Sequence, residues 1–275
     1  MAGTTLSKCI QSQCASENRY KAEPDPEYPW KYMIHDGVYY YWRGFFKPPD
    51  LQVTADVQRV LARGDLRAVV GHFWFGFHRY VSGPSTYATM LRDPVERIVS
   101  LYAHLVEHEF PQPLPYHGMS LHEFVTNPPF REVDNDQTRR VAGEEPQLGR
   151  CTTAMLKRAK QNLRQHFSVV GVTERFDETL MLLKQTFGWT KSLSYYPTNQ
   201  SGIRPTTSSL PPETLDAVRE RNELDLKLYC FAQELLGEAI AKQDEAFHDE
   251  LAAFQTSQRG LYAKWAKRIA EHAQS

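Results

Sequence analysis

The stretch YATMLRDPVERIVSLYAHL, residues 87–105, decides the fold class. It starts with a short apolar run of strand length, Tyr87–Leu91, and then breaks at an Arg-Asp-Pro sequence. Asp93 is a favourable N-cap residue, and Pro94 suits the first helical position because its missing N–H would have no partner there. Apolar residues then recur at helical spacing, which predicts a helix with one core-facing stripe. The stretch therefore predicts strand, tight turn and helix, the half-unit of an α/β protein.

Two polar side chains in this stretch predict an anion site. Arg92 follows the strand directly, and open parallel sheets bind ligands at the carboxyl ends of their strands. Ser100 lies about two turns along the helix, at 3.6 residues per turn. A guanidinium pairs with two phosphate oxygens and a hydroxyl donates one more bond, so a phosphate fits this pair. The alternative is an Arg92 that pairs with a nearby carboxylate and a Ser100 that only occupies the helix surface.

Length and composition limit the class of protein. The chain has 275 residues, enough for one large domain or two small ones with a buried core. Its formal net charge of −1 predicts no nucleic-acid partner. No apolar run approaches the roughly 20 residues of a bilayer span, and the start lacks a signal-peptide pattern. We therefore expect a cytoplasmic chain that does not span a membrane. The four cysteines lack metal-ligand spacing and are expected to be reduced thiols.

A histidine is predicted at the same sheet edge as Arg92. An apolar strand at residues 66–70 runs into Gly71 and His72, which places an imidazole at the carboxyl end of that strand. Gly71 lets the backbone turn sharply or approach a ligand closely. The alternative is a histidine that is packed and hydrogen-bonded among the aromatic residues that follow it.

The first residues predict a second anion site. Residues 3–5, Gly-Thr-Thr, are typical of a helix N-terminus, whose free N–H groups bind anions. The alternative is a frayed terminus without function. The motif G-x-x-x-x-G-K-[ST] is absent from the sequence, which disfavours a nucleotide kinase of the P-loop class.

Further helices and strands fill the chain between and after these sites. A second strand-turn-helix unit at residues 167–187 supports a parallel sheet. An amphipathic pattern predicts one helix over residues 213–236. From residue 237 the composition predicts a polar helical tail, so we divide the chain into a domain at 1–236 and an extension at 237–275. The tail's apolar residues predict packing on the domain or on a second subunit. A homodimer is therefore one of the two alternatives.

Three segments, taken in chain order, resemble a known family. They are AGTTL at residues 2–6, GHFWFG at 71–76 and LRDPVERIVS at 91–100. The later segments NDQTR, GVTERFD, NQSGIRP and LDLKLY are similar to it as well. Together they resemble the PAPS-dependent sulfotransferases, a family that includes heparan-sulfate 2-O-sulfotransferases and small bacterial relatives. The resemblance implies a P-loop-like three-layer α/β fold with a parallel central sheet flanked by helices, to which the helical C-terminal tail is added.

The resemblance also implies a reaction and its residues. The donor would be PAPS (3′-phosphoadenosine 5′-phosphosulfate) and the acceptor a hydroxyl of a carbohydrate or similar compound, without a metal. His72 matches the catalytic base, Arg92 and Ser100 match the pair that grips the 3′-phosphate, and Arg204 would reach the nucleotide or the acceptor. Residues 135–139 are a weaker candidate for acceptor contacts. The loop around the 5′-phosphosulfate corresponds to Ala2, Gly3, Thr4, Thr5 and Leu6.

The start of the chain departs from the family pattern. In the family a strand and a Pro-Lys-Thr or similar segment directly precede the AGTT equivalent, whereas Met1 stands here in place of that Thr. The lysine of that segment would neutralise charge on the bridging oxygen as the sulfuryl group leaves. We expect a truncated start, because the rest of the predicted site is intact. The alternative is a catalytically impaired homologue that binds PAPS or its product without the donor-site lysine.

Overall fold

The strand-turn-helix unit predicted from residues 87–105 is present. The computed structural model describes residues 2–14, 33–35, 38–41, 54–107, 116, 118–196 and 206–272. Within it, Tyr87–Leu91 is a strand and Pro94–Glu107 a helix. The Asp93 carboxylate accepts a hydrogen bond from the N–H of Glu96 at 3.0 Å, which confirms the predicted N-cap.

The described residues alternate short strands with helices. The strands are β1 (Met33–His35), β2 (Val38–Tyr41), β3 (Ala68–Gly71), β4 (Tyr87–Leu91) and β5 (Phe167–Val172). The α-helices are α1 (Ala2–Cys14), α2 (Ala55–Leu61), α3 (Pro94–Glu107), α4 (Leu121–Thr126), α5 (Asp136–Ala142), α6 (Thr153–His166), α7 (Phe176–Thr186), α8 (Pro212–Arg221), α9 (Glu223–Ala241) and α10 (Glu245–His272). Short 3₁₀ turns lie at Phe77–Tyr80, Arg131–Val133, Thr173–Arg175 and Thr207–Ser209.

The strands form two small sheets in the described part of the chain. β1 pairs antiparallel with β2, and β2 pairs parallel with β3, so that Tyr41 lies opposite Gly71. β4 pairs parallel with β5, with Leu91 opposite Val172. The predicted parallel pairing of the two strand-turn-helix units is confirmed. The chain is an α/β protein with small sheets flanked by helices, and the P-loop-like three-layer arrangement stays a prediction.

The main core lies between β5 and the helices α6, α7 and α9. Gly171 makes close packing possible there, because a Cβ at this position would lie 2.0 Å from the Cγ2 atom of Thr179 on α7. A second core cluster joins α3, α4 and α8 around Ile98, Phe124 and Val218. Both clusters use α-helices that follow the parallel strands, which fixes the carboxyl ends of β4 and β5 relative to these helices.

The single helix predicted over residues 213–236 is wrong. The chain instead forms α8 and α9, which meet at the buried Asn222. The Asn222 side chain donates to the carbonyl of Val218 at 3.0 Å and accepts from the N–H of Asn135 at 3.1 Å. These bonds lock the junction in a non-helical conformation, and an apolar pattern alone does not show them.

The tail predicted from residue 237 continues α9 and adds α10. Ile240, Phe247 and Leu251 are buried in the same core cluster as β5. The sequence left open whether these residues pack on the domain or on a second subunit. In the structure they pack on the domain. No helix in the described ranges combines the length and apolar character that crossing a membrane requires.

Candidate functional site

His72 lies at the carboxyl end of β3, the position that the sequence predicted. Part of the surface of this residue is exposed to solvent, while the protein packed around its ring removes part of the hydration of the imidazole. The pKa of His72 is lowered to about 4. Desolvation by the surrounding protein is the largest cause, and the positive charge of Arg140 is the next. The imidazole is therefore neutral at pH 7, which is the form that accepts a proton.

Residues 2–6 form the start of α1, and no acidic side chain lies in its first turn. Of the sequence-predicted set, Thr5 is buried and Leu6 packs against the main core. Further along α1, Cys14 packs with Val70 of β3, and Arg67 donates to the Cys14 carbonyl at 2.8 Å. The helix predicted to bind the 5′-phosphosulfate therefore packs on the strand that leads to His72.

Arg92 lies at the carboxyl end of β4, as predicted, and its side chain is largely buried. Its Nη2 lies 3.4 Å from the Oε2 of Glu96, so the carboxylate pairing considered from the sequence is present. Burial is the main cause that lowers the pKa of Arg92, while the charges of Glu174 and Asp93 act in the opposite direction. A guanidinium deprived of water in this way gains stability from an anion.

Ser100 lies on α3 and is buried, with 7% of its surface exposed. The alternative of a surface serine is therefore wrong. Arg204 lies outside the described residues, so its predicted contact with the nucleotide or the acceptor stays a prediction.

A cleft with a volume of about 530 Å³ opens beside the N-terminus of α3. Glu174, which follows β5, accepts from the N–H of Asp93 at 3.2 Å and from the Tyr229 hydroxyl at 2.8 Å. Thr207 and Ser208, in the 3₁₀ turn that precedes α8, also line the cleft. The sequence analysis missed these lining residues, although the GVTERFD segment marks the chain around Glu174. The remaining lining residues are Val95, Glu96, Leu215 and Arg219.

The NDQTR segment, residues 135–139, is buried and does not fit the predicted acceptor contacts. Asn135 adopts a left-handed conformation with a φ of 49°. Its side-chain oxygen accepts from the N–H groups of Leu224 and Asp225 at 2.9 and 3.1 Å, which caps the start of α9. The Asp225 carboxylate accepts in turn from the N–H groups of Gln137 and Thr138. These reciprocal caps join α5 to α9 in the interior.

Gln137 connects this buried segment to the predicted phosphate site. Its side-chain oxygen accepts from the Arg92 N–H at 2.8 Å, and its Nε2 donates to the Arg92 carbonyl at 2.9 Å. The amide thus satisfies both backbone groups of Arg92 at the point where β4 ends. Gln137 therefore fixes where the Arg92 side chain emerges, a role that sequence reasoning did not assign.

Two further expectations concern metals and cysteines. Among the residues that the structure describes, no group of three or more His, Cys, Asp and Glu side chains could hold a metal ion. The four cysteines, Cys9, Cys14, Cys151 and Cys230, are free thiols. Burial raises the pKa of the Cys9 thiol to about 11, so this thiol is protonated and unreactive at pH 7.

Comparison with known proteins finds relatives of this sequence. Heparan-sulfate 6-O-sulfotransferase 2 of Danio rerio is 31% identical over 183 residues, which cover 54% of this chain and 37% of the relative. Heparan-sulfate 6-O-sulfotransferase 1 of Homo sapiens is 27% identical over 183 residues, with 54% and 43% covered. The chain spans less than half the length of the curated relatives it matches. These relatives are 6-O enzymes, whereas the sequence analysis named 2-O enzymes of the same family.

A family model, described as Sulfotransferase family, matches residues 72–232. The matched range contains His72, Arg92 and Ser100 together with the cleft residues. Because this match covers more than half of the sequence, the chain belongs to the Sulfotransferase family.

Proposed function

We propose that this chain transfers a sulfuryl group from PAPS to a hydroxyl of a carbohydrate, with His72 as the general base. The observation that carries the proposal is a neutral imidazole on a partly exposed residue at a strand end, inside the segment that matches the Sulfotransferase family. The matching relatives are named for heparan sulfate, a carbohydrate, which supports a sugar hydroxyl as the acceptor.

The residues present fit the anionic groups of the donor. Glu96 engages one nitrogen of the Arg92 guanidinium at a long 3.4 Å, and a guanidinium has five N–H donors. Arg92 at the end of β4, with Ser100 on α3, would hold the 3′-phosphate, and the backbone N–H groups of residues 2–6 would face the 5′-phosphosulfate. PAPS, when bound, supplies the sulfuryl group and a phosphate leaving group. Arg204 would add a further contact.

His72 accepts the proton of the acceptor hydroxyl at a ring nitrogen as that oxygen bonds to sulfur. A hydroxyl is a poor nucleophile until its proton leaves, and a positioned base contributes about 10²–10⁴-fold. The N–H groups at the start of α1 stabilise the negative charge that builds on the departing phosphate oxygen. Arg92 contributes by holding the far end of the nucleotide, which aligns the reacting atoms.

Replacement of His72 tests the assignment of the base. In a His72→Ala variant we expect turnover to fall at least about a hundredfold while nucleotide binding persists. His248→Ala, which removes an exposed histidine of α10, is the matched control and should keep wild-type turnover. An unchanged turnover in His72→Ala would exclude His72 as the base.

Binding of 3′,5′-diphosphoadenosine tests the donor site separately. We expect Arg92→Ala to weaken this binding, measured by calorimetry, while Arg158→Ala on the exposed face of α6 leaves it unchanged. An unchanged dissociation constant in Arg92→Ala would contradict the phosphate assignment. A wild-type chain that binds the nucleotide without transferring a sulfuryl group would support the impaired homologue instead.

A further inference from the structure

We propose that Arg140 is a positioning residue for His72, holding the segment that carries the base at the end of β3. This inference rests on the proposed function for its catalytic meaning, and on the contacts around Arg140 for its structural part. The family resemblance did not assign a role to this residue, and it lies on α5 rather than on the strand that leads to His72.

Arg140 contacts three residues of the segment 72–75. Its Nη1 donates to the carbonyl of His72 at 3.4 Å, and its guanidinium carbon lies 5.1 Å from the centre of the Trp74 ring. Its own carbonyl accepts from the N–H of Phe75 at 2.8 Å. One residue thus holds the segment by a backbone bond, a side-chain bond and a cation–π contact. A displacement of the segment from this position would weaken these contacts.

Arg140 is itself held in place by carboxylates. Its Nε lies 3.0 Å from both oxygens of the buried Asp136, one turn earlier on α5. Arg97 of α3 contacts the same carboxylate and donates to the carbonyl of Glu132 at 2.9 Å. Burial opposes the charged form of Asp136, but Arg140 and Arg97 together hold the pKa of Asp136 below its usual range. The guanidinium of Arg140 therefore has a fixed anchor behind it.

Gly143 provides independent support for this junction. It ends α5 with a φ of 74°, in the left-handed region. A Cβ at this position would lie 2.6 Å from the carbonyl oxygen of Phe75. The end of α5 and the segment after His72 are therefore in direct backbone contact, a fit that only glycine permits. Arg140 lies in the last turn of the same helix, so both Arg140 and Gly143 at the end of α5 contact the segment 72–75.

The charges around His72 give the arrangement a measurable consequence. The charged side chains that act on the imidazole are Arg140 and Asp136 of α5 and Arg97 of α3. The two guanidinium groups disfavour the imidazolium form, whereas the Asp136 carboxylate favours it. Removing the Arg140 charge leaves less positive charge near the imidazole to oppose the Asp136 carboxylate, so the pKa of His72 must rise. The acid limb of any His72-dependent activity must move to higher pH with it.

Two variants of the full-length chain separate position from charge. Arg140→Met removes the charge and the donors but keeps the aliphatic stem, whereas Arg140→Lys keeps the charge and loses the planar fork. NMR titration of the His72 ring should show a pKa raised by about 1 unit in Arg140→Met and unchanged in Arg140→Lys. Arg158→Met, which removes an exposed arginine paired with Glu144, should leave this titration unchanged.

Turnover provides the second readout. Both Arg140 variants should lower kcat at least about tenfold with little change in the acceptor KM, because a misplaced base affects the chemical step. A purely structural role would leave the His72 titration unmoved, and that result in Arg140→Met overturns the proposal. If Arg140→Met fails to fold, the kcat of Arg140→Lys tests the proposal instead. A wild-type kcat in Arg140→Lys would then overturn the proposal.

The titration also separates this inference from the proposed function. A wild-type chain that transfers no sulfuryl group refutes the function but leaves the titration readable. In that case a raised His72 pKa in Arg140→Met still supports the contact between Arg140 and the His72 segment, and an unmoved pKa overturns it.

Discussion

Replacement of Arg139 by methionine tests whether the NDQTR segment builds the fold. The Arg139 side chain is fully buried, and its Nη2 lies 2.7 Å from the Oδ2 of Asp134, whose side chain is only 3% exposed. Methionine fills much of the same volume but leaves the buried Asp134 carboxylate without its cation. Breaking a buried ion pair by removing one partner costs about 3–5 kcal/mol. We expect the free energy of unfolding to fall by that amount.

Urea denaturation at pH 7 measures this loss. With a urea m value of about 3 kcal/mol per M, the midpoint should fall by about 1–1.7 M. Arg158→Met is the matched control, since Arg158 is an exposed arginine 2.8 Å from Glu144 and surface pairs contribute at most about 1 kcal/mol. Adding Asp134→Asn to Arg139→Met should recover part of the loss, because a neutral amide needs no countercharge. An Arg139→Met loss no larger than that of the control would refute the reasoning.

The remaining predictions concern the helix ends and the base. Gly143→Ala should lower the free energy of unfolding by about 1–3 kcal/mol, measured in urea, because its φ of 74° and the Phe75 carbonyl at 2.6 Å both exclude a Cβ. Ser120→Ala should cost about 1 kcal/mol in thermal unfolding, because it removes the capping box with Glu123 at the start of α4. Wild-type kcat should stay constant from pH 8 to about pH 5, because His72 acts when deprotonated and its pKa is lowered to about 4.

Each of these predictions has a contrary outcome. Gly64→Ala is the control for Gly143, since nothing lies within 4 Å of a Cβ there, and equal effects of the two changes would contradict the clash. An unchanged melting temperature in Ser120→Ala would show that the cap contributes nothing. An acid limb of kcat near pH 6.5, the ordinary histidine value, would mean that neither desolvation nor Arg140 acts on His72.

Short-range elements could be predicted from the sequence because their determinants lie within a few residues. Asp93 and Pro94 set the start of α3, as the sequence predicted. The parallel pairing of β4 with β5 followed from two strand-turn-helix units in series. In each case the local pattern and the tertiary structure require the same conformation.

Predictions failed where a polar contact joins distant parts of the chain. Asn222 interrupts the amphipathic pattern of residues 213–236 because it bonds Asn135, far away in the sequence. Residues 135–139 are polar, which favoured a surface role, yet they are buried. The side chains of Asn135, Gln137 and Arg139 find their hydrogen-bond partners inside the protein. A polar group can be buried when a hydrogen-bond partner is available for it in the interior. Where that partner lies depends on the tertiary structure.

The strand-turn-helix units, the family and the positions of His72 and Arg92 at strand ends were all predictable from the amino-acid sequence. They were predictable because turns, caps and periodicity act over short distances, and because the motifs occur in a fixed order. The contacts of Gln137 with the backbone of Arg92, and of Arg140 with the segment 72–75, could be found only in the folded structure. These contacts depend on how α5 packs, and packing is a property of the whole core.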